Sequence, residues 1–145
     1  MNLNDIFVDS ECSLKLDTTN KILYMSNSSS EYKETVFHKF LEHFVSFWKL
    51  IGESDDKYHV LLDLSEDKTR IMPMRFYTTL ITSLNSISDI LNKNMHSMCI
   101  LINTSGLTGS IIKIIFSLYK PNRPITYTMD INEAYSFFES NKLDL

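Results

Sequence analysis

The chain has 145 residues, of which 43% are hydrophobic and 22% are charged, a balance that is typical of a soluble globular protein. At this length a chain buries enough apolar surface to fold without disulfides or a structural metal, so we expect one domain over residues 1–145, with residues 1–11 attached loosely. The formal net charge is −4 and the basic residues form no block, which disfavours nucleic acid as a partner.

The cysteines and the apolar segments indicate the compartment. Cys12 and Cys99 are far apart, and neither has a second cysteine at metal-binding spacing, so we expect both to be thiols in a reducing compartment. No apolar run approaches the roughly 18 residues that a membrane span needs, and the N-terminus carries acids where a signal peptide would carry basic residues. The sequence therefore predicts a cytoplasmic protein without an integral membrane segment.

The first predicted elements are a β-hairpin and a helix. Residues 12–16 alternate apolar and polar side chains, residues 17–20 are typical of a turn, and residues 21–25 form a second apolar run. Apolar residues then recur at helical spacing and predict a helix over about residues 30–50, with Ser28 and Glu31 in the pattern of a capping box.

A continuous apolar run follows at residues 58–64 and predicts a central strand that is covered on both faces. Pro73 suits the first turn of a second helix, whose apolar spacing extends to Leu91. Residues 98–102 form the next apolar run and predict another buried strand.

The remaining residues predict two helices and one strand. Residues 110–119 predict a helix and residues 125–129 a strand, while Asp130 and Glu133 form a capping box for a short helix over residues 131–139. The complete order is β-β-α-β-α-β-α-β-α, which predicts an α/β fold with an N-terminal hairpin and a mostly parallel sheet of four or five strands packed by helices.

This order of elements resembles the STAS superfamily, in particular its SpoIIAA-like branch of anti-sigma-factor antagonists. The resemblance rests on Tyr-His-Val-Leu-Leu-Asp-Leu-Ser at residues 58–65, followed by a loop and a helix, and on Ile-Asn-Glu-Ala-Tyr-Ser-Phe-Phe at residues 131–138, which is similar to the final helix of that branch. It implies a non-enzymatic regulatory or small-ligand-binding module.

Antagonists of the phosphoswitch type carry an Asp-Ser pair at the start of the helix after the central strand. The matching residues 71–74 are Ile-Met-Pro-Met and contain no hydroxyl group, and the nearest hydroxyl residues are Ser65 and Thr69. Our leading hypothesis is therefore a protein-binding module that contacts its partner by shape and apolar contact, through the loop and helix start after the central strand. The predicted contact residues are Ser65, Thr69, Met72 and Met74.

Three other interpretations stay open. The aromatic stripe of the first helix, Phe37, Phe40, Phe44, Phe47 and Trp48, is expected to fill the core, but an exposed part would be a dimer surface or the wall of a pocket for a lipid or other apolar small molecule. Backbone N–H groups in the turn before residue 110 suit an anion or a phosphorylated partner. The candidate anion-binding residues are Ser105, Gly106, Thr108 and Gly109.

An enzyme using Asp63, Ser105 or His59 ranks last, because the sequence shows no paired nucleophile and base. The four histidines do not have the spacing of a zinc site. We therefore expect no metal and no cofactor.

Overall fold

A computed structural model describes residues 3–9, 12–27, 33–63, 65, 74–102 and 123–141. Within these residues six strands form one sheet, and their order in the sheet is their order in the chain. The strands are β1 (Leu3–Val8), β2 (Cys12–Asp17), β3 (Ile22–Asn27), β4 (Tyr58–Asp63), β5 (Met95–Leu101) and β6 (Ile125–Thr128). The pairs β1–β2 and β2–β3 are antiparallel, whereas β3, β4, β5 and β6 run parallel to one another.

Four helices are described, and they divide between the two faces of the sheet. They are α1 (Glu34–Ile51), α2 (Met74–Ser86), α3 (Ser88–Asn94) and α4 (Ile131–Ser140). The first three contribute to one core with alternate residues of the sheet, while α4 packs on β5 and β6 from the opposite face. Because consecutive parallel strands lie side by side, right-handed crossovers are expected to place their helices on one face.

The central strand β4 sends alternate side chains into both cores. Tyr58 and Val60 pack in the core that contains α1, and Leu61 packs in the core that contains α4. Successive side chains of a strand point to opposite faces, so a strand covered on both sides needs an unbroken apolar run. This accounts for the composition of residues 58–64.

A buried asparagine joins the end of α3 to the connection between α1 and β4. The side chain of Asn94 is fully buried, and its Nδ2 donates to the backbone oxygens of Ile51, Ser54 and Asp56 at 3.2, 3.1 and 2.8 Å. These carbonyl groups belong to no strand, so the asparagine amide supplies a donor to backbone acceptors that have no strand partner.

The structure confirms the α/β class, the hairpin, the first helix and the central position of β4. The aromatic stripe is mainly core, since Phe44, Phe47 and Trp48 are buried. Cys99 is also buried, and neither cysteine forms a disulfide.

Several details of the prediction are wrong. The sheet of the described residues has six strands rather than four or five, because Leu3–Val8 forms an additional strand that pairs with β2. The second helix is interrupted at Ile87 and forms two helices. The first helix begins at Glu34 rather than near residue 30, after Lys33, which makes no side-chain cap. The predicted capping pair, Ser28 and Glu31, lies outside the described residues. The predicted helix over residues 110–119 lies outside the described residues.

Candidate functional site

The carboxyl ends of the four parallel strands form one edge of the sheet, where ligands of open α/β sheets usually bind. The strand register aligns Ser26 of β3 with Asp63 of β4, Asp63 with Leu101 of β5, and Leu101 with Thr128 of β6. Polar side chains of β3, β4 and β6 therefore lie at the same level of the sheet, with Leu101 of β5 between the last two. We call this row, together with Ser65, the carboxyl edge.

The centre of the carboxyl edge is a turn held by Asp63. Its Oδ1 accepts hydrogen bonds from the backbone N–H of Ser65 at 2.9 Å and from the Ser65 hydroxyl at 2.5 Å. An aspartate that bonds the backbone two residues later forms an Asx turn, which fixes the direction of the chain. The Asp63 carboxylate therefore orients the start of the segment that leaves β4, and it holds the Ser65 hydroxyl at the edge.

Hydroxyl groups at both sides of the carboxyl edge are also paired. The hydroxyls of Ser13 and Ser26 lie 2.6 Å apart. Asp130 caps α4 by accepting from the backbone N–H of Asn132 at 2.8 Å, as predicted. Glu133 does not complete the capping box, because it accepts instead from the Thr128 hydroxyl. The carboxyl edge is thus a set of locally satisfied polar groups.

A second polar cluster lies under α4, near the opposite end of β4. Nδ1 of His59 and Oγ of Ser97 lie 2.6 Å apart, and the His59 ring stacks on Phe138 with centroids 4.8 Å apart. Ser97 is 0% exposed and His59 is 5% exposed. Burial, and then the charge of His96, whose ring lies 5.4 Å away, lower the pKa of His59 from 6.5 to about 4. The imidazole is therefore neutral at neutral pH.

Two further titratable groups under α4 are shifted toward their neutral forms. Burial, and then the charge of Glu133, raise the pKa of Cys99 to about 11. The hydroxyls of Tyr24 and Tyr135 lie 3.0 Å apart, and burial followed by this hydrogen bond raises the pKa of Tyr24. A protonated thiol is a poor nucleophile. These groups join α4 to the sheet.

The structure brings together only part of the predicted contact surface. Ser65 lies at the carboxyl edge against Asp63, and Met74 is the first residue of α2. Thr69 and Met72 lie outside the described residues, as do the anion-binding candidates Ser105, Gly106, Thr108 and Gly109. The pair of His59 and Ser97 was not predicted. The available signal was a histidine in one predicted strand and a serine directly before the next one.

The described residues also bear on metal binding and on membrane insertion. The described residues contain no group of three or more histidine, cysteine, aspartate or glutamate side chains that could hold a metal ion. None of the described helices has both the length and the apolar character that crossing a membrane requires. Comparison of the chain with protein-family models, curated proteins and solved structures finds no match.

Proposed function

We propose that this chain is a non-enzymatic regulatory module of the STAS type, which binds a protein partner through the segment between β4 and α2 and through the start of α2. The observation that carries the proposal is the turn formed by Asp63 and Ser65. It begins that segment at the end of a strand with parallel neighbours on both sides. The segment thus leaves from the middle of the carboxyl edge, where loops are best placed to meet a partner.

The distances along β4 argue against the enzyme interpretation. His59 and Asp63 stand at opposite ends of β4, and at about 3.3 Å per residue they are roughly 13 Å apart. A base and a nucleophile must be within hydrogen-bond reach of each other or of one reacting group. The hydroxyl that does contact His59 belongs to Ser97, which is fully buried. The shifted pKa values of His59 and Cys99 therefore result mainly from burial under α4.

The alternative of a carrier for an apolar small molecule needs a lined pocket beside α1. Phe44 and Trp48 are instead packed edge to face in the core, and Phe47 contacts Trp48 and Tyr58 in the same way. Aromatic pairs of this geometry stabilise a closed core. The packing of Phe44, Phe47 and Trp48 therefore favours a role in the core over the lining of a ligand pocket.

The proposed surface is tested by comparing the proteins that bind to variants of the chain. Met72→Asp/Met74→Asp places two charges in the predicted apolar contact, whereas Leu50→Asp places one at the C-terminal end of α1, where Leu50 is 67% exposed. We expect the wild type and Leu50→Asp to retain the same partners, and the double variant to lose them.

Thermal unfolding of each variant establishes that the loss does not come from misfolding. Equal recovery of partners by all three proteins would contradict the proposed surface. A lipid or other apolar molecule found by native mass spectrometry in the wild type, without any protein partner, would favour the carrier instead.

A further inference from the structure

The outer side of β6 offers unpaired backbone groups. β6 is the last strand of the sheet. On its inner side, the carbonyl oxygen of Pro124, directly before β6, accepts from the N–H of Met98, and that of Thr128 accepts from the N–H of Ile102, directly after β5. In a parallel ladder, alternate residues of a strand bond the same neighbour, so the N–H and C=O groups of Ile125 and Tyr127 point away from β5. Within the described part of the chain, no strand pairs with this side of β6.

The two edges of the sheet differ in how they are protected. At the opposite edge, β1 has an irregular register between Asp5 and Phe7, and Asp5 carries an exposed charge. Short length, bulges and charges are the usual means by which edge strands avoid pairing with other chains, and of these β6 has only its short length. β6 pairs with β5 without such a shift, and its four residues, Ile-Thr-Tyr-Thr, carry no charge. Tyr127 is 52% exposed, and Met129 is 65% exposed.

We propose that β6 is a homodimer interface, at which β6 of a second copy of this chain pairs antiparallel about a two-fold axis through Tyr127. In this register Tyr127 lies opposite its own copy, Ile125 lies opposite Met129 of the second copy, and Thr126 lies opposite Thr128. These are aromatic, apolar and hydroxyl pairs, which stabilise adjacent antiparallel strands. Residues 125–129, which are β6 and the residue that follows it, are thus complementary to themselves under two-fold symmetry.

Two copies of the chain could pair through β6 and β6 or through β6 and β1, and the β6–β6 contact fits better. Pairing of β6 with β1 would be head to tail, and such contacts build open chains unless they close into a ring. It would also oppose β6 to the irregular, charged strand that contains Asp5. A two-fold β6 contact closes at the dimer and buries the exposed side chains of Tyr127 and Met129. β5 separates β6 from β4 in the sheet, and this proposal does not rest on the proposed function.

The interface is tested by measuring molar mass with light scattering across a range of protein concentrations. We expect the wild type to have twice the monomer mass of 16.9 kDa. Tyr127→Lys places two like charges directly opposite each other, so it should raise the Kd of the dimer about tenfold or more. Val8→Lys is the matched control, because Val8 is 56% exposed on β1 at the opposite edge. This variant should dimerise as the wild type does.

The two-fold axis itself is tested by charge complementation. Because Tyr127 contacts its own copy, a mixture of Tyr127→Lys and Tyr127→Glu should form a heterodimer, although neither variant dimerises well alone. A wild type that stays monomeric overturns the proposal, even if it binds a strand from another protein at β6. A dimer that is lost in Val8→Lys but kept in Tyr127→Lys also overturns it. The proposal is likewise overturned if Tyr127→Lys and Tyr127→Glu form no heterodimer although both unfold at the same temperature as Val8→Lys.

Discussion

At the scale of single residues, His59 shows how burial makes stability depend on pH. The folded chain holds its imidazole between Ser97 and Phe138, where burial first and the charge of His96 second lower the pKa from 6.5 to about 4. Between these two values the unfolded chain binds one more proton than the folded chain does. The contribution of His59 to stability is therefore present above about pH 6.5, and it falls by up to about 3 kcal/mol as the pH drops to about 4.

The prediction is measured by urea unfolding between about pH 7 and about pH 4.5. His59→Asn keeps a polar group near Nδ1 for Ser97 but removes the titration, so we expect lower stability at neutral pH and a flatter dependence on pH. His38→Asn is the control, since His38 lies half-exposed on α1 beside Glu34. It should keep the slope of the wild type. A wild-type slope in His59→Asn would show that another group causes the dependence.

At the scale of elements, Asn94 determines how firmly α3 holds the connection between α1 and β4. Asn94→Ala removes a donor from three backbone oxygens, of which that of Ile51 keeps the N–H and the hydroxyl of Ser54 as donors. We expect a loss of about 2 kcal/mol in the free energy of unfolding, measured by urea titration. Asn94→Asp should cost more, because a carboxylate would face these carbonyl oxygens.

The neighbouring Lys93→Ala serves as the control for Asn94. Lys93 reaches the same connection from an exposed position, with Nζ 3.3 Å from the backbone oxygen of Gly52 and 3.6 Å from Asp55. Exposed contacts of this kind contribute little, so the change in stability should be much smaller than for Asn94→Ala. Equal losses in the two variants would contradict the role assigned to the buried amide.

Which elements could be predicted from the sequence depends on how completely each is buried. β4 is covered on both faces and α1 buries one broad stripe, so each has a clear apolar pattern. β1 lies at the edge and contains Asn4 and Asp5 between its apolar residues, so its pattern is weak. The interruption of the helix at Ile87 could not be predicted either, because Ile87 keeps the apolar spacing of a continuous helix. There the Ser86 hydroxyl bonds the Ser83 carbonyl oxygen, which competes with helical hydrogen bonding.

The candidate sites depended on information that a sequence does not carry. Asp63 and Ser65 are two residues apart, so their turn is a local feature that the end of a predicted strand makes plausible. His59 and Ser97 are 38 residues apart, and they meet only because β4 and β5 pair in one particular register. Sequence spacing could predict both strands, but it could not predict which residues stand opposite each other.

At the scale of the whole molecule, the core that contains α4 buries Cys99 of β5 against the sheet. Its thiol is 0% exposed, and burial, followed by the charge of Glu133, raises its pKa to about 11. Cys12 is only partly buried, in β2. A thiol-specific reagent should therefore modify Cys12 in the folded protein, whereas it should modify Cys99 only when the molecule opens. Cys12→Ser and Cys99→Ser assign the two phases.

If opening is fast compared with modification, the rate at Cys99 follows the population of the unfolded state. Asn94 lies only five residues before Cys99 in the sequence, but it ends α3 on the other face of the sheet. Asn94→Ala should nevertheless speed the modification of Cys99 by roughly 30-fold, which corresponds to its expected loss of about 2 kcal/mol. Lys93→Ala should leave the rate nearly unchanged. An unchanged rate at Cys99 in Asn94→Ala, despite lowered stability, would mean that α4 opens independently of the rest of the molecule.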